Sequence, residues 1–163
     1  MDEKLAEIKA WLADNAPPLL QLLNPPATPA EIAAFEARHK LVLSPEARAM
    51  YLLHNGEDEK SGGIFGCYRW LRLNAVTEEI KLMGSEGIFP LFYNGGGDLY
   101  YVKSHNPAAP DRTLYEWWHE VPEDAAVIAD SLEGFLAEFA MRLREGRYAY
   151  DPRILAVAKW EEM

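Results

Sequence analysis

The sequence predicts an α+β domain, helices laid over a sheet with a glycine-rich hairpin at its centre, and three observations predict it. Ile88, Phe89, Leu91, Phe92 and Tyr93 are apolar and β-prone, as are Leu99 to Val102, and the one sharp break between the runs is Asn94-Gly95-Gly96-Gly97-Asp98. Glycines tolerate positive φ, so the break reads as a turn with Asp98 as a hydrogen-bond acceptor. Two helix starts then carry one signal, Thr28-Pro29 with Glu31 and Ser44-Pro45-Glu46: a hydroxyl cap, a proline at the first helical position and an early acid. Finally, 163 residues at 49% hydrophobic content are enough for one core and short for two.

In chain order, Leu5, Ile8, Trp11 and Leu12 recur at helical spacing until Pro17-Pro18 stops the helix. Leu19 to Leu23 is too short to classify by periodicity. Ile32 and Phe35 face inward on the helix that Thr28 caps. After the extended Leu41-Val42-Leu43, the Ser44 helix runs through Met50, Leu52 and Leu53 to His54, and Asn55-Gly56 ends it in a left-handed turn. Glu57 to Ser61 reads as a polar loop, Gly62 to Gly66 and Tyr68 to Leu73 as short strands, and Asn74 as the cap of a helix that Gly84 terminates. Beyond the hairpin, Lys103 to Arg112 is a proline-punctuated loop. Thr113 to His119 is a strand with a large aromatic on each face, and Ala126 to Ala129 a short buried strand. Ser131 caps a helix with the stripe Leu132, Phe135, Leu136, Phe139 and Leu143, which stops at Gly146. The tail, with Tyr148, Tyr150, Ile154, Leu155, Val157 and Trp160, is too apolar to be free and packs back on the domain or onto a second copy, a homodimer. The expected division is therefore a domain over 1–146 and a C-terminal extension over 147–163.

The net charge of −10 is unevenly placed: −4 over residues 1–60, 0 over 61–97, −7 over 98–138 and +1 over 139–163. Such a field repels nucleic-acid phosphate and attracts basic partners, so direct DNA or RNA binding is not expected. No apolar run reaches membrane-spanning length, and the start Asp2-Glu3-Lys4 is unlike a leader, so a soluble cytoplasmic protein is expected. The single cysteine, Cys67, leaves no intrachain disulfide and no multi-cysteine metal site, and reads as small apolar filler.

Taken together and in order, Ala27-Thr28-Pro29-Ala30-Glu31-Ile32, Phe35-Glu36, Leu43-Ser44-Pro45-Glu46, Tyr51-Leu52-Leu53-His54-Asn55-Gly56, Gly63-Ile64-Phe65-Gly66, Gly96-Gly97-Asp98 and Ala129-Asp130-Ser131-Leu132 resemble the SUKH superfamily, the SMI/KNR group. The resemblance spans residues 5 to 146. It departs at Ile88-Phe89-Pro90, where that family often has tryptophan, and past Gly146. It implies a mixed, mostly antiparallel sheet covered by helices. It also implies a non-catalytic immunity protein that neutralises a cognate bacterial toxin, often a nuclease, or a regulatory scaffold of the fungal cell-wall-regulator type.

The residues themselves agree with that absence of chemistry. His39, His54, His105 and His119 are dispersed, with no i, i+4 pair for zinc, and the triple glycine lacks the Walker lysine and the dinucleotide spacing. Neither Ser61 nor Ser104 sits in a nucleophile elbow. Glu116 and Glu120 as an acid–base pair have the plainer reading of two solvated carboxylates, and a small-molecule enzyme using the hairpin cleft is a further alternative. No catalytic residue, cofactor or metal is expected. What remains is a surface. Trp117 and Trp118 point to opposite faces of one strand, so either both serve the core or one is exposed, and tryptophan is the residue most enriched at binding hot spots. The expected partner-binding set is Trp117 and Trp118 with an acidic rim of Asp98, Glu116, Glu120, Glu123 and Asp124, together with Glu57, Asp58 and Glu59. The expected partner is a basic protein toxin domain.

Overall fold

The computed structural model describes residues 1–122 and 125–163. Helices come first: α1 (Asp2–Asn15), a single turn α2 (Pro17–Leu20), α3 (Pro29–His39) and α4 (Pro45–Leu53). Pro17 and Pro18 do more than stop α1, since they open α2 at positions where a missing N–H costs nothing. The two capping signals work as read: Thr28 Oγ1 accepts from Glu31 N at 3.1 Å and Ser44 Oγ from Ala47 N at 3.2 Å. α4 ends differently from the expectation, because His54 is extended. Asn55 serves another helix: its Oδ1 accepts from Leu73 N at 3.0 Å, capping α5 (Leu73–Met83). Asn74 therefore lies inside α5 instead of capping it.

The sheet is an antiparallel meander in the order β1-β2-β3-β4-β5, with β1 Arg69–Trp70, β2 Ile88–Tyr93, β3 Leu99–Lys103, β4 Leu114–Trp117 and β5 Ala126–Ala129. The expected hairpin is its centre, Tyr93 opposite Leu99 and Ile88 opposite Lys103, with a bulge between Pro90 and Phe92 that takes up the proline. Asn94 does the work expected of Asp98 in the turn: its Oδ1 accepts from Gly96 N at 2.8 Å and Asp98 N at 3.1 Å. Two strand expectations fail. Gly62–Gly66 makes only a single bridge, Gly63 to Ala156, within a turn, and β5 is an exposed edge, not a buried strand.

Helix α6 (Leu132–Arg144), capped by Ser131 Oγ on Gly134 N, packs between α1 and the sheet, and its Leu136, Phe139 and Leu143 join Leu5, Ile8, Leu12, Phe65 and Phe92 in one core. The tail forms a hairpin, β6 (Tyr148–Asp151) with β7 (Ala156–Lys159), followed by the short turn Trp160–Glu162. It is bound to the Gly62–Cys67 segment through Gly62 N to Leu155 O, Val157 N to Gly63 O and Cys67 N to Val157 O, all at 2.8 to 2.9 Å. Val157 and Ala156 are fully buried by this docking.

Candidate protein-binding face

The antiparallel register puts Tyr93, Leu99 and Trp117 in one row at the hairpin end of the sheet, and Phe92, Tyr100, Glu116 and Ala126 in the next. Trp117 is half-buried against the core, whereas Trp118, one residue past β4, is 49% exposed. Alternation along the strand thus divides the pair: one indole packs inward and the other faces water. The Trp118 Nε1–H donates to Glu116 Oε1, and the other Glu116 oxygen accepts from the Tyr68 hydroxyl at 3.0 Å.

Asp98 joins the same face through His119. Its Oδ1 lies 2.8 Å from His119 Nδ1 and accepts from His119 N at 3.3 Å, while Oδ2 accepts from Asn94 Nδ2 at 3.1 Å. Partial burial alone would raise this carboxyl; the hydrogen bonds from His119 and Asn94 outweigh it and hold the group below its ordinary value. The approach of His119 demands the glycine at 97, where φ is +104° and a Cβ would stand 3.0 Å from the imidazole. Hydrogen bonds thus join Asp98 to His119 and Glu116 to Trp118, and Glu120, exposed, follows directly in the chain.

The bases of the acidic segment sit elsewhere. Lys103 pairs with Asp111 at 3.4 Å, and Arg112 pairs with Glu46. Lys103 is at the far end of β3 from Leu99, about 13 Å at ordinary strand rise, so the Trp118 end carries the carboxylates without them. The segment's other described acids are Asp130, exposed just past β5, Glu133 beside Arg112 and Glu138 paired with Arg142.

The remaining expected residues do not join this face. Glu57 is the clear departure: it is 1% exposed, with Oε1 accepting from Ser61 Oγ at 2.5 Å and Ile64 N at 3.2 Å, and Oε2 from Trp70 N at 2.6 Å. Those backbone donors need an acceptor, so the first acid of Glu57-Asp58-Glu59 turns inward. Burial pushes its carboxyl up to about 7, against the opposing pull of these hydrogen bonds and of Arg69. Asp58 accepts from Lys60 N in a local turn, and Glu59 pairs with Arg72 at 3.4 Å. Both lie beyond β1, with β2 and β3 between them and the Trp118 strand. Glu123 and Asp124 lie outside the described residues.

Beside Glu116, between the sheet, α6 and β6, is an open groove of about 540 Å³ lined by Tyr68, Tyr100, Ile128, Phe135, Tyr148 and Arg142 among others. Tyr68 and Tyr100 stack at 3.9 Å between centroids. Burial pushes the Tyr100 hydroxyl up to about 12, and burial with the neighbouring Tyr100 and Glu116 pushes Tyr68 well up too, so both stay protonated. This groove is not legible in the sequence, because its walls come from stretches scattered between residues 65 and 159. Histidines converge nowhere: His39 bonds Thr77, His54 bonds Asn24 O and His119 bonds Asp98. Among the described residues no three histidine, cysteine or carboxylate side chains come together as a metal site would need.

A helix-covered antiparallel meander defines an α+β domain, and Trp118 stands exposed on it beside the Glu116 carboxylate. Residues 26–138 match the model of the SMI1 / KNR4 family (SUKH-1), and the chain belongs to that family. The match leaves α1 and the β6–β7 hairpin outside it. No curated protein matches the chain. Among the described residues no helix is long and apolar enough to cross a membrane.

Proposed function

We propose that this chain is a non-catalytic immunity protein, which neutralises a basic toxin domain by covering it with the face built on Trp118, Glu116, Asp98 and Glu120. The observation that carries the reading is the exposed Trp118 indole, held by Glu116 inside a rim of carboxylates from which the segment's lysine and arginine are absent. A large aromatic fixed by a hydrogen bond loses little freedom on docking, and a carboxylate rim accelerates encounter with a cationic surface. A nuclease, whose cleft must attract phosphate, is the toxin chemistry such a face suits. Family membership supports a protein partner. The alternative, a regulatory scaffold, rests on the same fold and on the C-terminal tail, which here is the β6–β7 hairpin bonded to residues 62–67.

Co-expression with toxins encoded in the same genome tests this. Protection of the cell, with a complex that weakens as salt is raised, is the expected result. Trp118→Ala should weaken the complex by about 30-fold or more without lowering the melting temperature. Absence of both protection and complex across those toxins refutes the reading.

A further inference from the structure

We infer that the outer edge of β5 receives an extended, arginine- or lysine-bearing segment of the protein partner as a sixth strand of the sheet. The inference rests on the protein-binding reading above and names what the partner presents. Strand β5 is the last in the sheet and pairs only with β4; among the described residues its backbone has no partner on the other side. Val127 is 62% exposed on it.

Proteins protect such edges with lysine, proline or a covering segment. Here Ala126-Val127-Ile128-Ala129 has no charge and no proline, and no lysine or arginine occurs anywhere from residue 113 to residue 141. Over that same span lie Glu116, Glu120, Asp130, Glu133 and Glu138. Glu116 and Asp130 flank this apolar edge and complement a cationic strand, while Arg142 and Lys159 lie across the adjoining groove, with Glu138 paired to Arg142. It disfavours a second copy of this chain, because pairing β5 with itself would bring two sets of Glu116, Glu120 and Asp130 together. Strand addition draws affinity from the main chain and specificity from pockets for alternate side chains. Such a pocket is at hand: Ile128 lines the groove that also holds Tyr100 and Phe135. Glu116 stands opposite Ala126 in the register, so the edge and the Trp118 face are continuous.

The test uses the whole chain and a short synthetic peptide alternating arginine with valine, with a glutamate–valine peptide as its counterpart. Amide hydrogen exchange and chemical-shift mapping by NMR are expected to show the arginine peptide slowing exchange at outward-facing amides within 126–129, and the glutamate peptide having no effect. Val127→Lys places a charge on an exposed position and should weaken peptide binding by about tenfold or more, while Val127→Thr leaves it within about twofold. Equal binding of the two peptides, protection mapping away from β5, or sedimentation showing a dimer abolished by Val127→Lys would each overturn the inference. If a toxin binds and Val127→Lys leaves that complex unchanged, the immunity reading stands and the edge inference falls. If the peptide docks on β5 and no toxin binds, the reverse holds.

Discussion

Glu57 offers the sharpest quantitative expectation. Its carboxyl is buried and its folded-state value is raised from an ordinary 4.5 to about 7, chiefly by burial. A carboxyl raised in this way binds more protons in the folded than in the unfolded state between those two values, so stability falls as pH rises through that window and levels off above it. The size follows from the displacement: about 3 kcal/mol lost between roughly pH 4.5 and pH 7. Other groups slope the opposite way. Burial lowers the values of His39 and His54, so each removes stability as pH falls through the ordinary imidazole range. The contribution of Glu57 is therefore isolated by comparison with Glu57→Gln, which cannot ionise. The glutamine amide can still accept from Ser61 and Ile64, but its NH2 faces Trp70 N, a conflict that costs about 1 to 3 kcal/mol at every pH. Urea unfolding of both proteins from about pH 4.5 to pH 8 reads the difference. The wild-type advantage should shrink by about 3 kcal/mol across the window, while the m-value stays constant. A difference that stays flat, or grows with pH, refutes the reasoning.

Two further expectations concern the frame that holds the face. Phe92, fully buried beneath Tyr100 and Phe65, should cost about 3 to 5 kcal/mol when cut to alanine, whereas Phe135, half-buried at the groove wall, should cost about 2 kcal/mol; calorimetry or denaturant melts distinguish them. Asn55→Ala removes the acceptor for Leu73 N and should cost about 1 kcal/mol, with Asn74→Ala near neutral; the reverse order would return the cap of α5 to Asn74.

What the sequence revealed and what it hid divide along sequence distance. Thr28, Ser44 and Ser131 cap their helices through bonds three residues long, and the hairpin from Ile88 to Val102 closes locally, so composition and spacing suffice for them. The parting of Trp117 from Trp118 follows from strand alternation alone. Misreadings arise where the partner is remote. The acidic run Glu57-Asp58-Glu59 looks solvated until donors at Ile64 and Trp70 turn its first carboxylate inward. The apolar Ala126–Ala129 looks buried because side-chain chemistry does not say which strand comes last in a sheet. Gly62–Gly66 looks like a strand, but its glycines serve close approaches to remote partners, Gly62 to Ile154 and Ala156 and Gly66 to Tyr148. Asp98, Glu116 and Trp118 can be noted one by one in the sequence, yet the bond of Asp98 to His119 and the separation of Asp58 and Glu59 from Trp118 depend on register.

The docking of β7 onto Gly62–Cys67 also sets an order of events during translation. Phe65 N bonds Tyr68 O within the turn, but residue 63 takes its bridge partner at residue 156, so the outer side of Gly62–Cys67 waits for almost a hundred further residues to be polymerised. Earlier helices can form on the ribosome as they emerge, but the seat for Val157 and the cover that Tyr148 lays on Phe139 arrive only with the hairpin. Docking of the hairpin is thus a late event, whereas Phe65, Phe92, Phe135 and Phe139 can already pack on one another before it arrives.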